Sequence, residues 1–451
     1  MRTQTSGSAV PVDVGLLLDT GRWSAYQKAL TLLAALAVIF DGFDIQILGF
    51  AIPSIMREWH VARGAFAPIA ALGLAGMAVG SPFAGYCGDR FGRRISLIGC
   101  VLVFGVATIA TAFCHTLLQL GVLRTVAGVG VGGALPNASA LVAEFAPLRR
   151  RAMAVTLTIV CVPLGGMIAG LAASRVLPSM GWHALYAIGG AAPLLFALVL
   201  MAVLPESPRY LARFSERRDE LTRILARMGH ALSDGIRFDT CSGRQSSKAV
   251  SLAELFSPNL LRDTSGLWLA CFACMTGVYL VFGWLPAMLT ANGLDIGTAS
   301  SGLAAYNFGG VLGVLICAVV VTALGSRRPM LWCSVGASAS ALALLFVPIG
   351  PAGGHALLIA GIGLNGLFVN AVQTTMYALA SHVYPTRVRA SGVACAAAVG
   401  RVGGIMSSLG GAAIIQSGSG TYLLVLAMAT GITFVGLVAV RNHYPSSRPG
   451  H

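Results

Sequence analysis

Four ionisable side chains lie inside long apolar stretches of this sequence, namely Asp41, Asp44, Arg124 and Arg401. Burying a charge at the centre of a lipid bilayer costs about 3 kcal/mol or more, so each of them marks a candidate functional site. A carboxyl group can take up and release a proton, and a guanidinium group can hold a carboxylate through two parallel hydrogen bonds. These residue types therefore predict a site that binds protons and an organic anion.

The spacing places the four charges in one layer of the membrane. Asp41 and Asp44 are three residues apart and share one face of a helix. A rise of about 1.5 Å per residue puts Asp41 about 20 Å beyond Lys28 and Arg401 about 18 Å beyond Arg389. By the same rise, Arg124 lies about 10 Å from the opposite surface. All of them are therefore expected near the midplane.

Two acids and two arginines balance when all four are ionised. A carboxylate substrate would add one negative charge to a site of low dielectric constant, and protonation of one aspartate would restore the balance. We therefore expect Asp41, Asp44 and Arg124 to couple proton binding to substrate binding. The structural alternative is a permanent ion pair between an aspartate and Arg124 that never takes up a proton.

Arg401 is the candidate ligand for the substrate carboxylate, because no acidic residue in the apolar stretches of its half of the chain competes for it. The structural alternative is an arginine that caps backbone carbonyl groups or extends to the membrane surface. Polar and aromatic side chains of the same half could bind a ring substituent or stack on a ring, although we expect most of them to serve packing. These residues are Asn307, Asn365, Asn370, Gln373, Tyr279, Tyr306 and Tyr377.

Membrane-spanning helices are the elements that position these residues. Of the 451 residues, 56% are hydrophobic and only 10% are charged, against roughly 25% charged in a soluble domain, which excludes a soluble enzyme. A helix needs about 20 apolar residues to cross the hydrocarbon layer. Twelve stretches meet that length, and they begin near Ala29, Phe66, Ile95, Leu117, Ala152, Ala184, Gly266, Ser300, Met330, Ala356, Ser391 and Thr421. The sequence therefore predicts an all-α membrane protein with twelve transmembrane helices.

The basic residues indicate the orientation of these spans. An even number of spans puts both termini on one side, and if that side is the cytoplasm, its loops and tails hold 25 of the 30 Lys and Arg residues. The net charge of +14 lies in bands between the spans rather than on one soluble module, so it does not indicate nucleic-acid binding. The N-terminus lacks the features of a signal peptide. We therefore expect a protein of the bacterial inner membrane with both termini in the cytoplasm.

One long polar segment divides the spans into two groups of six. We interpret its many arginines as determinants of topology, with a partner-binding site as the alternative. The predicted order is a cytoplasmic tail, a six-helix bundle, a partly helical cytoplasmic linker, a second six-helix bundle and a second cytoplasmic tail, at residues 1–28, 29–204, 205–265, 266–440 and 441–451.

The two groups of spans are similar in sequence at an offset of 233 residues. At this offset Gly76 matches Gly309, and Asn137 matches Asn370. Beyond Asn137 the match continues only after a slip of five residues. Two parallel six-helix repeats are typical of transporters that alternate access by rocking the two halves around a site near the midplane. We therefore expect two pseudo-symmetric bundles.

The loop after the second span resembles a known signature. Residues 85–94 have the sequence GYCGDRFGRR, which is similar to the GxxxDRxGRR signature of the major facilitator superfamily. Together with twelve spans and duplicated halves, this resemblance implies the major facilitator fold. It also implies a latch in which Asp89 and Arg93 join Glu144, whereas the equivalent loop of the second half, at residues 322–327, lacks the acid. The gating residues so implied are Gly85, Asp89, Arg90, Gly92, Arg93 and Glu144.

Within that superfamily, residues 41–44 have the sequence DGFD, which resembles the DG(F/Y/L)D motif of the aromatic acid:proton symporters. These proteins carry benzoate, hydroxybenzoates and protocatechuate. Further matches extend as far as Gly400 and Arg401, so the resemblance covers nearly the whole chain. It implies import of an aromatic carboxylate with protons. It also implies roles in transport for Asp41, Asp44, Arg124 and Arg401.

Alternative functions remain open at this point. Sugar and polyol porters share the arginines of the loop, but their glutamine pair in the seventh span is missing here. Drug exporters carry GPxxGG in the fifth span, whereas residues 161–166 have the sequence CVPLGG. A symporter of another small organic anion and a transporter-like membrane sensor also fit the pattern. The sequence has no nucleotide-binding loop, which argues against an ATP-driven pump or kinase. We expect no cofactor, no metal ion and a functional monomer.

Overall fold

The chain folds almost entirely into α-helices, which confirms the predicted fold class. The computed structural model describes residues 12–229, 238–239, 252–258, 260–351, 355–385 and 388–445. Two strands of two residues each, β1 (Val12–Asp13) and β2 (Phe238–Asp239), pair in parallel. The helices are α1 (Val14–Thr20), α2 (Ala25–Trp59), α3 (Phe66–Phe91), α4 (Arg93–Thr111), α5 (Leu117–Phe145), α6 (Leu148–Val203), α7 (Pro208–Leu211), α8 (Arg218–Arg227), α9 (Leu261–Ala291), α10 (Ile296–Leu324), α11 (Arg327–Ala343), α12 (His355–Val383), α13 (Arg389–Gln416) and α14 (Ser419–Ala439).

Local capping signals in the sequence set several of these helix ends. Ser24 and Gln27 form a reciprocal capping box at the start of α2, in which each side chain accepts a hydrogen bond from the other residue's backbone N–H. At the starts of α5 and α10, the side chains of Thr116 and Asp295 each accept a hydrogen bond from a backbone N–H of the first helical turn. Because hydrocarbon supplies no hydrogen-bond partners, the backbone between such caps remains helical across the membrane.

Eleven continuous helices of the described residues are long and apolar enough to cross a membrane, and one of them crosses twice. Helix α6 has 56 residues, which corresponds to about 84 Å and far exceeds the ~30 Å hydrocarbon layer. Its backbone leaves the helical conformation at Gly181, where φ is 74°. This positive φ suits glycine and divides α6 into two spans. The total is therefore twelve, as predicted.

We call α2–α6 the first half and α9–α14 the second half. The packing of α3 on α5 is repeated in the second half, where α10 packs on α12. A side chain at Gly76 would collide with the carbonyl oxygen of Thr125, and one at Gly309 would collide with that of Gly363. Gly76 and Gly309 are 233 residues apart, but Thr125 and Gly363 are 238 residues apart. The slip of five residues therefore lies before α5 and α12.

This result corrects the alignment that we inferred for α5. Asn137 donates a hydrogen bond to the carbonyl group of Ala84, and Thr375 contacts the thiol of Cys317 at the equivalent place. Asn137 therefore corresponds to Thr375 and not to Asn370. The extra residues lie in the loop between α11 and α12, which is longer than the loop between α4 and α5. Loops tolerate insertions, and glycines recur so often in these helices that a wrong register also produces matches.

The two halves pack tightly against each other at one end of their helices. This end lies on the far side of the membrane midplane from Lys28. A side chain at Gly49 would collide with the backbone of Phe282, and one at Gly170 would collide with Ala304. Ile47 and Phe282 are both buried in one continuous hydrophobic cluster. We call this contact region the outer seam. Glycines allow helix backbones to approach closely there.

The C-terminal tail crosses the opposite end of the second half. Asp263 accepts hydrogen bonds from the backbone N–H of Arg441 and from the side chain of Asn442, both at 2.6 Å. Ser326 and Tyr444 exchange hydrogen bonds, with the Ser326 backbone donating at 3.1 Å and the Tyr444 backbone donating to the Ser326 hydroxyl at 2.9 Å. The second half lacks the acidic loop of the first half, and the tail links its helix ends instead.

The predicted linker is only partly described. Its described residues include the short helices α7 and α8, whereas residues 230–237, 240–251 and 259 lie outside the described residues. The first part of the N-terminal tail (residues 1–11), the loop residues 386–387 and the last part of the C-terminal tail (residues 446–451) also lie outside them. The exact bounds of the five predicted segments therefore stay a prediction.

Candidate functional site

Asp44 is held in a buried ion pair with Arg124. The two guanidinium nitrogens of Arg124 lie 3.2 and 3.3 Å from the carboxylate oxygens, and one of them also donates to the Asp44 carbonyl oxygen at 2.9 Å. Thr108 on α4 donates a further hydrogen bond to the carboxylate. The side chains of Asp44 and Arg124 are 1% and 3% exposed. The pair therefore forms a buried unit of opposite charges between α2, α4 and α5, in which only the Nε atom of Arg124 has no hydrogen-bond partner among the described residues.

Asp41 lies one turn away on the same helix, yet its environment differs. It is 1% exposed, and its Oδ1 atom has no hydrogen-bond partner among the described residues. The neighbouring Gly42 lies so close to the backbone of Val162 on α6 that a side chain there would collide with it. An ionised carboxylate without a partner is costly in such a site, whereas a protonated one costs far less.

Arg401 on α13 is half-buried, and none of the described residues forms an ion pair or hydrogen bond with its guanidinium group. Tyr279 on α9 is close enough to interact electrostatically with both Arg401 and Asp41. Tyr377 on α12 also interacts electrostatically with Arg401, and 42% of its surface is exposed. The structure therefore brings Arg401, Tyr279 and Tyr377 of the second half together and places Tyr279 next to the acid of the first half.

A cavity of about 40 Å³ lies between the two halves beside these residues. Arg124 and Met77 line it from the first half, and Tyr279 and Ser408 line it from the second half. Such a volume holds one or a few water molecules but no aromatic ring. A ring could occupy this point only after the halves move apart.

Three of the predicted substrate ligands pack within the second half. Asn365 donates hydrogen bonds to the carbonyl oxygen of Ala337 and the hydroxyl of Ser340 on α11. Asn370 donates to the carbonyl oxygen of Gly366 in its own helix. Tyr306 and Asn365 line a small apolar cavity inside the second half. These contacts are typical of packing residues, and a role in substrate binding stays a prediction for them.

Gln373 lies in a different position. Together with Tyr377 and Gly400 it lines a narrow cavity of about 10 Å³ between α9, α12 and α13. Its side-chain amide is 3.8 Å from the sulfur of Met275, a weak contact. Gln373 therefore keeps hydrogen-bonding capacity on the side of α12 that also carries Tyr377.

Asn307 of the second half is bonded to Gln46 of the first half. Their side-chain amides exchange two hydrogen bonds, at 2.7 and 3.0 Å, and both residues are completely buried. Gly166 on α6 makes room for the pair, because a side chain there would overlap both amides. Sequence reasoning missed Gln46, although a glutamine inside an apolar span is itself a signal of a buried polar contact.

The predicted gating residues lie at the ends of α3, α4 and α5. Arg93 forms an ion pair with Asp89, and its Nε atom lies 3.4 Å from Glu144. Arg90 contacts the hydroxyl of Tyr86, and Gly85 faces open space. The ion pairs of this cluster link helices of the first half with each other, and the hydroxyl of Tyr210 on α7 donates to the carbonyl oxygen of Arg90 at 2.9 Å.

Glu206 belongs to the same region and was given no role by sequence reasoning. Its carboxylate accepts backbone hydrogen bonds from Arg94 at 3.1 Å and from Ser207 at 2.9 Å. Gly92 has a φ of 105°, and a side chain there would collide with that carboxylate. Burial raises the pKa of Glu206, and the backbone donors oppose this rise. Glu206 therefore anchors the α3–α4 loop to the end of α6.

Comparison with known proteins identifies relatives over nearly the full length. The family model of the Major Facilitator Superfamily matches residues 34–352 and, in a second match, residues 267–451. The gallate transporter of Pseudomonas putida is 32% identical over 97% of this chain and 96% of its own length. The 4-hydroxybenzoate transporter PcaK of the same organism is 32% identical over 95% of this chain and 96% of its own length. The benzoate transport protein of Acinetobacter baylyi is 28% identical over 88% and 85%, respectively.

A solved structure shares the fold. The partially occluded inward-open conformation of the xylose transporter XylE from E. coli superposes with a TM-score of 0.72 and covers 93% of this chain and 99% of that chain. The two sequences are 17% identical, so the similarity concerns the fold alone.

Proposed function

The chain belongs to the Major Facilitator Superfamily, and on this basis we propose that it imports an aromatic carboxylate together with protons by alternating access. One observation carries the proposal: Asp44 and Arg124 neutralise each other, which leaves Asp41 and Arg401, on different halves, without ion-pair partners among the described residues. The relatives named for gallate, 4-hydroxybenzoate and benzoate transport support the substrate class.

In this mechanism Asp41 carries the proton and Arg401 binds the substrate carboxylate. Tyr279 interacts electrostatically with both Arg401 and Asp41, and we propose that the positive charge of a free Arg401 favours an ionised Asp41 across this residue. A bound carboxylate neutralises that charge, so Asp41 then binds a proton more strongly. Release of the proton in turn weakens binding of the anion. Substrate and proton therefore bind and leave together.

The pair of Asp44 and Arg124 has a structural role in this proposal. Its guanidinium donates to both carboxylate oxygens and to a carbonyl group, so three hydrogen bonds join the two residues. The pair holds α2 against α5 and thereby fixes the height of Asp41. This refines the expectation that both aspartates and Arg124 take part in proton coupling.

The substrate ring is expected beside Arg401, Tyr377, Tyr279 and Gln373. Two aromatic faces and one amide suit a planar ring with a polar substituent. Tyr377 is 42% exposed, and we propose that the substrate reaches this position from the end of the helices opposite the outer seam.

The proposed orientation places both termini in the cytoplasm of a bacterium, with the chain in the inner membrane. In this orientation the closed outer seam faces the periplasm, and we propose that the chain is in an inward-facing state. The bands of arginine at the other ends of the helices support this orientation. Asp89, Arg93 and Glu144 lie on the cytoplasmic side, where we propose that they control closure of the halves.

Uptake into proteoliposomes tests the function. Labelled 4-hydroxybenzoate should accumulate above its outside concentration when an inward proton gradient is imposed, and a protonophore should abolish accumulation. A panel of ring-substituted benzoates that compete for uptake then defines the substrate. Xylose competition without benzoate competition would support a sugar porter instead. Saturable binding without flux would indicate a sensor.

A further inference from the structure

A large basic cavity lies at the cytoplasmic ends of α2 and α6, apart from the transport site. Its volume is about 750 Å³. The segment between α1 and α2 forms one wall, and the start of α6 forms the other. Four basic residues line it: Arg22, Lys28, Arg149 and Arg150.

These four cations lack acidic partners within the described part of the chain. Among the described residues Asp19 is the one acid that lines the cavity, and it is already engaged by Arg151 and by Arg209, the latter at 2.6 Å. The cavity therefore has an excess of positive charge that the described residues do not neutralise.

The position of Arg149 and Arg150 adds to this excess. Both belong to the first turn of α6, which contains no acidic residue. The N-terminal end of a helix carries a partial positive charge, so cations are unfavourable there and an anion is favourable. Positive-inside topology explains basic residues on this face, but it does not require them to surround a cavity.

Apolar and aromatic groups lie directly beside the cations. Leu148 lines the cavity and is 60% exposed. Trp23 also lines it, with the ammonium group of Lys28 5.9 Å from the centre of its ring. The Nε1 atom of Trp23 is buried without a hydrogen-bond partner among the described residues. Tryptophan at a helix end is typical of the membrane interface, where one side is apolar and the other is wet.

We propose that this cavity binds the headgroup of an anionic phospholipid of the inner leaflet. The arginines and Lys28 bind the phosphate, and Leu148 and Trp23 contact the glycerol and the first methylene groups. A soluble phosphate compound shares the anionic chemistry but leaves the apolar wall unused. The inference rests on the cytoplasmic placement of these helix ends proposed above.

Native mass spectrometry of the full chain in a neutral detergent tests the site. Phosphatidylglycerol is added, and the bound lipids are counted. The variant Arg149→Gln/Arg150→Gln should bind phosphatidylglycerol about tenfold more weakly, because each interfacial cation contributes measurably to anionic lipid binding. The matched control Arg213→Gln/Arg218→Gln removes the same charge from exposed cytoplasmic residues that do not line the cavity. The control should bind as the unmodified chain does.

Further arms separate the possible outcomes. The variant Arg149→Lys/Arg150→Lys should retain binding, which excludes a folding defect as the cause of the loss. Phosphatidylcholine and inorganic phosphate should not displace phosphatidylglycerol at equal concentration. Equal loss in the cavity variant and its control, or displacement by inorganic phosphate, would overturn the lipid site. Asp41→Asn should bind the lipid normally even though its transport is impaired, so failure of one proposal is distinguishable from failure of the other.

Discussion

Gln46 and Asn307 hydrogen-bond each other through both of their side-chain amides, although they lie on helices of different halves. Asn307 uses its second N–H to donate to the carbonyl oxygen of Leu303 at 2.8 Å. Each amide therefore satisfies the other in a place without access to water. The pair closes the outer seam, and the seam cannot open unless these hydrogen bonds break.

Gln46→Ala should favour opening of the outer seam. Removing one member leaves the Asn307 amide buried with unmet hydrogen bonds, which costs about 1–3 kcal/mol in the closed state. Ser301 shares a helix face with Gly297 and Ala304 of the seam, so Ser301→Cys in a cysteine-free chain serves as a reporter. A membrane-impermeant thiol reagent added outside should label that cysteine faster in the Gln46→Ala background.

The double variant Gln46→Leu/Asn307→Leu is the control for this prediction. It replaces both amides with apolar groups of similar size, so no polar atom is left without a partner. In this double variant the reporter cysteine at position 301 should be labelled at a rate nearer to that in the parent background than to that in the Gln46→Ala background. Equal rates in the Gln46→Ala and parent backgrounds would show that the amide pair does not hold the seam closed.

Asp41→Asn should separate substrate exchange from proton-driven accumulation. An asparagine cannot gain or lose the proton, so the variant should exchange labelled for unlabelled substrate across the membrane without accumulating it under a proton gradient. Counterflow and gradient-driven uptake in the same proteoliposomes measure the two activities. Full gradient-driven accumulation by this variant would remove Asp41 from the mechanism.

Asp44→Asn should act mainly on stability. It leaves the guanidinium of Arg124 buried without its carboxylate, and breaking a buried ion pair in this way costs about 3–5 kcal/mol. The melting temperature in detergent should therefore fall well below that of Asp41→Asn. The double variant Asp44→Asn/Arg124→Gln should recover part of the loss. If both single variants melt alike, the ion pair is not the stabilising unit described above.

Arg401→Gln should weaken substrate binding by roughly 10- to 100-fold, because charge-assisted hydrogen bonds contribute about 1.5–3 kcal/mol. Arg401→Lys keeps the charge but loses the paired hydrogen-bond geometry. Its substrate affinity should therefore lie between those of the unmodified protein and Arg401→Gln. Equilibrium binding of 4-hydroxybenzoate to the purified protein measures this directly. Arg389→Gln, on the same helix but near its cytoplasmic end, should leave the affinity unchanged.

Docking of the C-terminal tail should depend on pH through His443. Burial lowers the pKa of this histidine below its ordinary value of 6.5, and nearby Arg327 lowers it further, whereas the carbonyl group of Leu437 and Asp263 oppose the shift. The docked tail therefore binds the proton less readily than the free tail does. Docking should be strongest above about pH 6.5 and should weaken as the pH falls below that value.

Hydrogen exchange of residues 441–444 at pH 7.5 and 5.5, corrected for the intrinsic effect of pH, measures this change. His443→Gln should make tail protection independent of pH over this range. Persistent pH dependence in the variant would assign the effect to another group.

The sequence by itself determined the twelve spans, the family and the identity of the buried charges. Apolar length and bands of basic residues are local properties, and a helix in lipid has no competing backbone structure. The separate fifth and sixth starts, near Ala152 and Ala184, follow from such local patterns, and they lie on either side of Gly181, where the structure divides α6. The charges at Asp41, Asp44, Arg124 and Arg401 stand out because lipid disfavours them wherever they occur.

Only the tertiary structure decided which of these charges are paired. Asp41 and Asp44 are the same residue type one turn apart, and the packing of α4 and α5 against α2 selects Asp44 as the partner of Arg124, 80 residues away. The partner of Gln46 is likewise 261 residues away. Contacts over such separations depend on how whole helices pack and on the lengths of distant loops. No local pattern of residues encodes them, because hydropathy and helical period say which face is apolar but not which neighbour covers it.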